Sequence, residues 1–147
     1  MPANNKVKNY DPAEVSIIIG SHIVSGYADG TFVKFERNND AFTRVSGADG
    51  EGTRAKSNDR SATMELTLMH TSESNDILTG FALADEVNNG GTFPVLMKDS
   101  NGTEKHASEV AWIRKFAPSE RGKEASSTVW TIEMNEHVPF IGGNPAI

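Results

Sequence analysis

The sequence predicts a mainly β fold, an antiparallel β-sandwich or barrel with one flanking α-helix. Three observations carry the fold class. Apolar and polar residues alternate through several short runs, which marks strands buried on one face. Turn-forming groups such as Ala28-Asp29-Gly30, Asn38-Asn39-Asp40 and Ser100-Asn101-Gly102 separate those runs. A single stretch has helical periodicity and no strand–helix–strand rhythm recurs, which argues against a doubly wound sheet.

Taken in order, Met1 to Glu14 reads as an extended N-terminal arm, with Asn4, Asn5, Asn9 and the Asp11-Pro12 pair. Val15 to Ile19 is a β-branched run that resumes at His22 to Val24, and it reads as one strand bent or bulged at Gly20. Beyond the turn at Gly30, Thr31, Val33 and Phe35 alternate with Phe32, Lys34 and Glu36, and Phe42 to Val45 gives a further short strand. Gly47 to Arg60 holds three glycines, charges of both signs and no large apolar residue, so it reads as a long polar loop without a core of its own. Ala62, Met64, Leu66 and Leu68 then alternate with Thr63, Glu65 and Thr67 in a well-specified strand.

The helix follows at once. Ser72 is the expected N-cap, Glu73 and Asp76 place negative charge at the positive end of the dipole, and Ile77, Leu78, Phe81, Ala82 and Ala84 form the apolar stripe. Asn88-Asn89-Gly90-Gly91 is the stop, with glycine expected to take the left-handed terminal conformation. Phe93 to Lys98 and Glu104 to Phe116 read as a hairpin about Ser100-Asn101-Gly102, with a type I′ turn. Asn101-Gly102-Thr103 also matches the glycosylation pattern, but the hairpin explains it. Ala117 to Ala125 is a polar loop, and Thr128, Trp130, Ile132 and Met134 define a last strand. The tail from His137 is too rich in Gly and Pro to continue it.

With 147 residues the chain is one domain. No apolar run approaches the roughly 20 residues needed to span a bilayer, and the N-terminal region lacks signal-peptide form, so a soluble protein with no membrane partner is expected. Cysteine is absent, which removes disulfides, thiolate nucleophiles and cysteine-based metal sites. A net charge of -6 argues against tight binding of nucleic acid.

Catalytic signatures are missing. His22, His70, His106 and His137 show no i, i+4 pair for a metal, and His70 reads as a partly buried residue bonded to backbone. There is no G-x-S-x-G elbow and no phosphate-binding glycine loop, and Asp49-Gly50-Glu51-Gly52 lacks the ligand spacing of an EF-hand. The expectation is a non-enzymatic protein with no catalytic residue, metal or cofactor. Thr63, Thr67, Thr131, Lys34, Glu36, Glu65 and Glu133 form a Thr-rich, mixed-charge strand surface suited to water or to polar packing between subunits.

The segment TRAKSNDRSATMELTLMHTSESNDIL, the turn NNGGTFPVLMKDSNG, and the flanking YDPAEVSIIIG and STVWTIEM resemble the tail tube proteins of contractile-tailed bacteriophages, over nearly all of the chain. Type VI secretion and contractile bacteriocin tubes are related in fold. The resemblance implies a structural virion protein that closes into homohexameric rings and stacks into a hollow tube. Its partners would be copies of itself, the tail sheath protein, and the baseplate and tail terminator proteins. DNA would pass through the lumen without tight binding, along strands with fewer Lys and Arg than acidic side chains. Assembly would take place in the host cytoplasm. The loop from Gly47 to Arg60 lies where such proteins carry a hairpin arm that reaches a neighbour, so Glu51, Arg54, Lys56, Asn58, Asp59 and Arg60 become candidate inter-subunit contacts. The alternatives are a tube subunit of a bacteriocin or secretion system, a monomeric β-barrel binding module, and a hydrolase whose triad assembles in space.

Overall fold

Alternating side chains along Ala62–Met69 and Ser127–Met134 set the centre of the molecule, because the two strands pair antiparallel in register from Ala62↔Met134 to Met69↔Ser127. Their inward residues Met64, Leu66, Leu68, Ile132 and Met134 are completely buried. The computed structural model describes residues 4–146; positions 1–3 of the expected arm, and position 147, lie outside the described residues.

The elements are a 3-10 turn at Pro12–Glu14, β1 (Val15–Ile19), β2 (His22–Ile23), β3 (Val33–Arg37), β4 (Phe42–Ser46), β5 (Gly52–Lys56), β6 (Ala62–Met69), α1 (Ser74–Asn88), β7 (Phe93–Asp99), β8 (Lys105–Lys115), β9 (Ser127–Met134) and β10 (Val138–Phe140). One antiparallel sheet runs in the order β2-β1-β7-β8-β9-β6-β3, with β10 beside β8. Residues from both ends of that order, among them Ile17, Ile19, Leu66 and half-buried Phe35, join a single apolar cluster, so the sheet closes over its own inner face. Leu78 and Ala82 of α1 enter the same cluster, and Phe81 packs on Phe93 with ring centroids 4.6 Å apart. The expected mainly β fold with one flanking helix is therefore observed. No helix among the described residues is long and apolar enough to cross a membrane.

Several local expectations are corrected. Gly20 does not bend one strand: with φ +63° it begins a two-residue turn, and β1 and β2 form a hairpin with Ile19 opposite His22. Within the segment read as a polar loop, Gly52–Lys56 pairs with Phe42–Ser46 along their whole length, so the loop is the distal half of a hairpin. A hairpin needs only backbone partners and a turn, which polar composition does not forbid. At the Ser100-Asn101-Gly102 turn neither Asn101 nor Gly102 has positive φ, so the turn is not type I′. It is a longer loop held by the Asp99 carboxylate, which accepts from the Asn101 backbone N–H at 2.9 Å and from its side chain at 2.8 Å. Val138–Phe140 adds a short strand in the tail, paired with Lys105–Ala107.

The helix begins one residue later than expected, with Glu73 rather than Ser72 at the N-cap and no side-chain cap bond from it. Ser72 Oγ accepts from the Ser74 N–H (3.2 Å) and donates to Ser25 O (2.6 Å). Ser74 is itself buried, accepting from the Ser25 N–H at 3.1 Å and bonding His22 Nε2 at 2.8 Å. That anchor turns the 74–78–82 line inward and leaves Ile77, about 100° away around the helix, 39% exposed. Asn89 rather than glycine takes the left-handed stop, at φ +60°, and its N–H caps Ala84 O and Asp85 O. Gly91 is needed for space instead, since a Cβ there would lie 2.0 Å from Phe81 O.

The line of β9 and β10 is one strand path interrupted. Met134 faces Ala111 and Val138 faces Ala107, so the register carries through, but Asn135 to His137 leave the ladder opposite a bulge at Glu109 and Val110 of β8. In that gap the Asn135 N–H reaches Val110 O (3.0 Å) and the His137 N–H reaches Arg60 O (2.9 Å).

Candidate assembly surface

Pairing between Phe42↔Lys56 and Ser46↔Gly52 creates a two-stranded arm whose ten strand residues are all exposed. Strand alternation divides it into two unlike faces. Phe42, Arg44, Arg54 and Lys56 share one, with the Arg54 guanidinium 4.1 Å above the Phe42 ring and Arg44 directly opposite Arg54. Thr43, Val45, Thr53 and Ala55 share the other. The first face thus gathers three cations with no carboxylate among its strand residues, and the second carries only small, uncharged side chains. A two-stranded hairpin with neither face packed is marginal in water, so this geometry suits a contact made outside the subunit.

The sequence-derived candidates fall into three places. Glu51 lies at the tip, where its N–H donates to Asp49 Oδ1 (3.1 Å) and its carbonyl accepts from Gly47 N–H. Arg54 and Lys56 stand together on the cationic face. Asn58, Asp59 and Arg60 lie at the root. Asp59 accepts from the Ser61 N–H (3.0 Å) and from Asn39 Nδ2 (2.6 Å), and the Ser61 backbone bond chiefly holds its carboxyl below the usual carboxylate range. Arg60 pairs with Glu136 of its own chain. Within the subunit, then, Asp59 and Arg60 brace the arm while Arg54 and Lys56 are presented. Phe42 and Arg44 complete the cationic face although they precede the Gly47 to Arg60 segment; the alternation from Phe42 to Val45 is the sequence signal that marks them.

Beside the root lies a buried polar relay. Arg37 Nε–H donates to His137 Nδ1 at 3.0 Å and Arg37 Nη2–H to His137 O at 2.9 Å. The His137 proton is thereby placed on Nε2, which faces His106 Nδ1 at 2.8 Å; His106 in turn presents Nε2–H to Glu104 Oε2 at 3.3 Å. Burial first, then His106 and Arg37, pushes the His137 imidazole down to about 4. His70 accepts from the Ser126 N–H at 2.9 Å through Nδ1, a structural bond of the kind expected. Among the described residues no group of three or more His, Cys, Asp or Glu is placed to hold a metal ion.

The outer face of β3, β6, β9 and the end of β8 carries the Thr-rich surface. Its charges are mixed, with Lys34 3.7 Å from Glu36 and Arg114 3.3 Å from Glu133.

No family model matches the chain. It is 30% identical over 150 residues to a protein named Structural protein ORF10 from Pseudomonas phage KPP10, a match spanning 97% of this chain and 87% of that one. The fold is shared with solved structures of contractile systems. The tube terminating cap of the anti-feeding prophage aligns with a TM-score of 0.64 at 11% identity, over 94% of this chain and 95% of the other. The PVC sheath/tube terminator of an extracellular contractile injection system, in its extended state, aligns with a TM-score of 0.63 at 10% identity, over 92% and 99%.

Proposed function

The chain belongs to the family of phage structural proteins represented by that relative, and from this premise we propose that it is the tube subunit of a contractile phage tail. Copies close into homohexameric rings, the rings stack, and the tube conducts DNA during ejection. Tail sheath protein surrounds it, with baseplate and tail terminator proteins at its ends. The role is geometric and non-enzymatic, with no metal or cofactor. The observation that carries this reading is the projecting arm: β4 and β5 bury none of their side chains in the subunit yet keep full strand pairing. A neighbouring copy supplies the missing packing, and the outer strands β2 and β3 of the sheet offer edges that ring closure can pair.

The Thr-rich outer face of β3, β6 and β9 is suited to line the channel. Its cations Lys34 and Arg114 lie against Glu36 and Glu133, so a passing phosphate backbone meets few free positive charges. Glu36, Glu65 and Glu133 stand there against Lys34 and Arg114, in keeping with the expected excess of acidic side chains along a lumen. Lys115, opposite Thr131, adds a further cation at the margin of that face.

Deleting Gly50 to Asn58 tests the proposal. A folded, monomeric product that makes no tubes under the electron microscope supports it, and normal tubes from that variant refute it. A second reading, the terminating ring of such a tube, is favoured by the fold shared with two terminators. Filaments of open-ended length from the purified protein select the tube subunit, whereas rings that never stack select the terminator.

A further inference from the structure

We propose, resting on the ring-forming reading above, that the cationic face of the arm docks into a groove on a second copy of this chain, beside the β8 bulge, with Glu109 as its counter-charge.

The arm needs a partner of opposite sign. Arg44 and Arg54 are directly cross-strand, and like charges so placed weaken an isolated pair of strands. No carboxylate stands among the strand residues of that face to relieve them. The partner must also accept an aromatic ring, because Phe42 is 42% exposed beneath Arg54. Among the described residues no carboxylate forms an ion pair with Arg44, Arg54 or Lys56, and Arg54 covers the Phe42 ring only in part.

The groove meets both. It has a volume of about 500 Å³, and its lining includes the apolar residues Pro94, Ala107, Val110 and Val138 and the carboxylates of Glu109 and Glu136. Val110 and Val138 are 44% and 61% exposed, apolar surface that the subunit leaves uncovered. The groove exists because the bulge at Glu109 and Val110 and the departure of Asn135 to His137 interrupt the ladder at the same level. Of its two carboxylates, Glu136 is taken by Arg60 of the same chain, while Glu109 pairs with no cation among the described residues. One open carboxylate beside the apolar side chains of Val110 and Val138 therefore faces a hairpin of one aromatic ring and three cations that have no carboxylate partner among the described residues. Five-residue strands carry the arm about 17 Å from its root, enough to pass beyond its own subunit.

The charge exchange of Glu109 with Arg54 tests the pairing. Glu109 is exposed, so Glu109→Lys should melt like the unaltered protein. We expect it to raise the concentration needed for assembly, measured by sedimentation and electron microscopy, by about tenfold, and Arg54→Glu in the same chain to restore assembly. Assembly of Glu109→Lys at the normal concentration overturns the docking site and leaves the ring reading standing. Impaired assembly without restoration by Arg54→Glu overturns the pairing likewise. Failure of the unaltered protein to form rings at any concentration overturns both.

Discussion

The imidazoles of His106 and His137 lie parallel with centroids 5.1 Å apart and share one 2.8 Å hydrogen bond whose proton belongs to His137. Phe35 of β3 stacks on His106 at 4.1 Å, so an edge strand of the sheet is fastened to β8 by stacked rings. Charged groups stand only at the ends of this relay, Arg37 from β3 and Glu104 before β8.

This arrangement predicts acid sensitivity. The folded chain holds His137 down to about 4 against an ordinary 6.5, so between those values the unfolded chain binds a proton that the fold refuses. Stability from this group is complete above pH 6.5, falls as pH drops through the window, and levels off below about 4. Thermal melts across that range should show the decline, and His137→Gln should flatten it while lowering stability at neutral pH. An unchanged slope in the variant would remove His137 as the cause.

Gly91→Ala should be strongly destabilising. The new methyl would lie 2.0 Å from Phe81 O, a backbone atom of the helix that cannot step aside. A loss of about 1–3 kcal/mol is expected in chemical denaturation. Gly122→Ala is the control, because nothing lies within 4 Å of its position.

Asn75→Ala removes a hub. Asn75 Oδ1 accepts from Trp130 Nε1 at 2.9 Å, while its amide donates to Met69 O (3.1 Å), His70 O (3.3 Å) and Ser72 O (3.1 Å). A loss of about 1–3 kcal/mol is expected, since partly buried polar partners, the Trp130 N–H among them, are left unpaired. Trp130 emission should change in the folded variant, which a merely weaker helix start would not produce.

Arg44→Thr should steady the arm in the monomer. It removes the like-charge pair with Arg54 and places a β-branched residue in the strand, a gain of roughly 0.2–1 kcal/mol. Amide hydrogen exchange in β4 and β5 should slow in dilute protein. Faster exchange would mean that Arg44 supports the hairpin, as its guanidinium resting close against Gly52 could allow.

What was legible in the sequence was whatever one face of one element decides. The period-2 alternation at Ala62 to Leu68 and at Thr128 to Met134 located the central pair of strands and their buried sides. The helix was legible as an element but not in its rotation, because Ser74 faces inward through a bond to His22, far away in sequence. β10 is not legible in the sequence, since Val138-Pro139-Phe140 has no periodicity of its own and is a strand only because β8 extends past the gap. The candidate contacts at Arg54 and Lys56 were visible as charge in a polar segment. Their alignment with Arg44 and Phe42 depended on cross-strand register, which composition does not encode. The histidine relay was hidden for the same reason: His106 and His137 meet through tertiary pairing of β8 with the tail.

Arg37 and Ala62 face each other as the last pair of the β3–β6 ladder. Residues 38–61, the arm included, therefore leave and re-enter the sheet at a single rung. A segment inserted in this way can change length or chemistry while the strands it departs from keep their register, because loop closure cost rises only slowly with length. The arm, one half of the contact proposed above, is thus mechanically separate from the strands that determine the fold, so mutation there can change its surface without reopening the core.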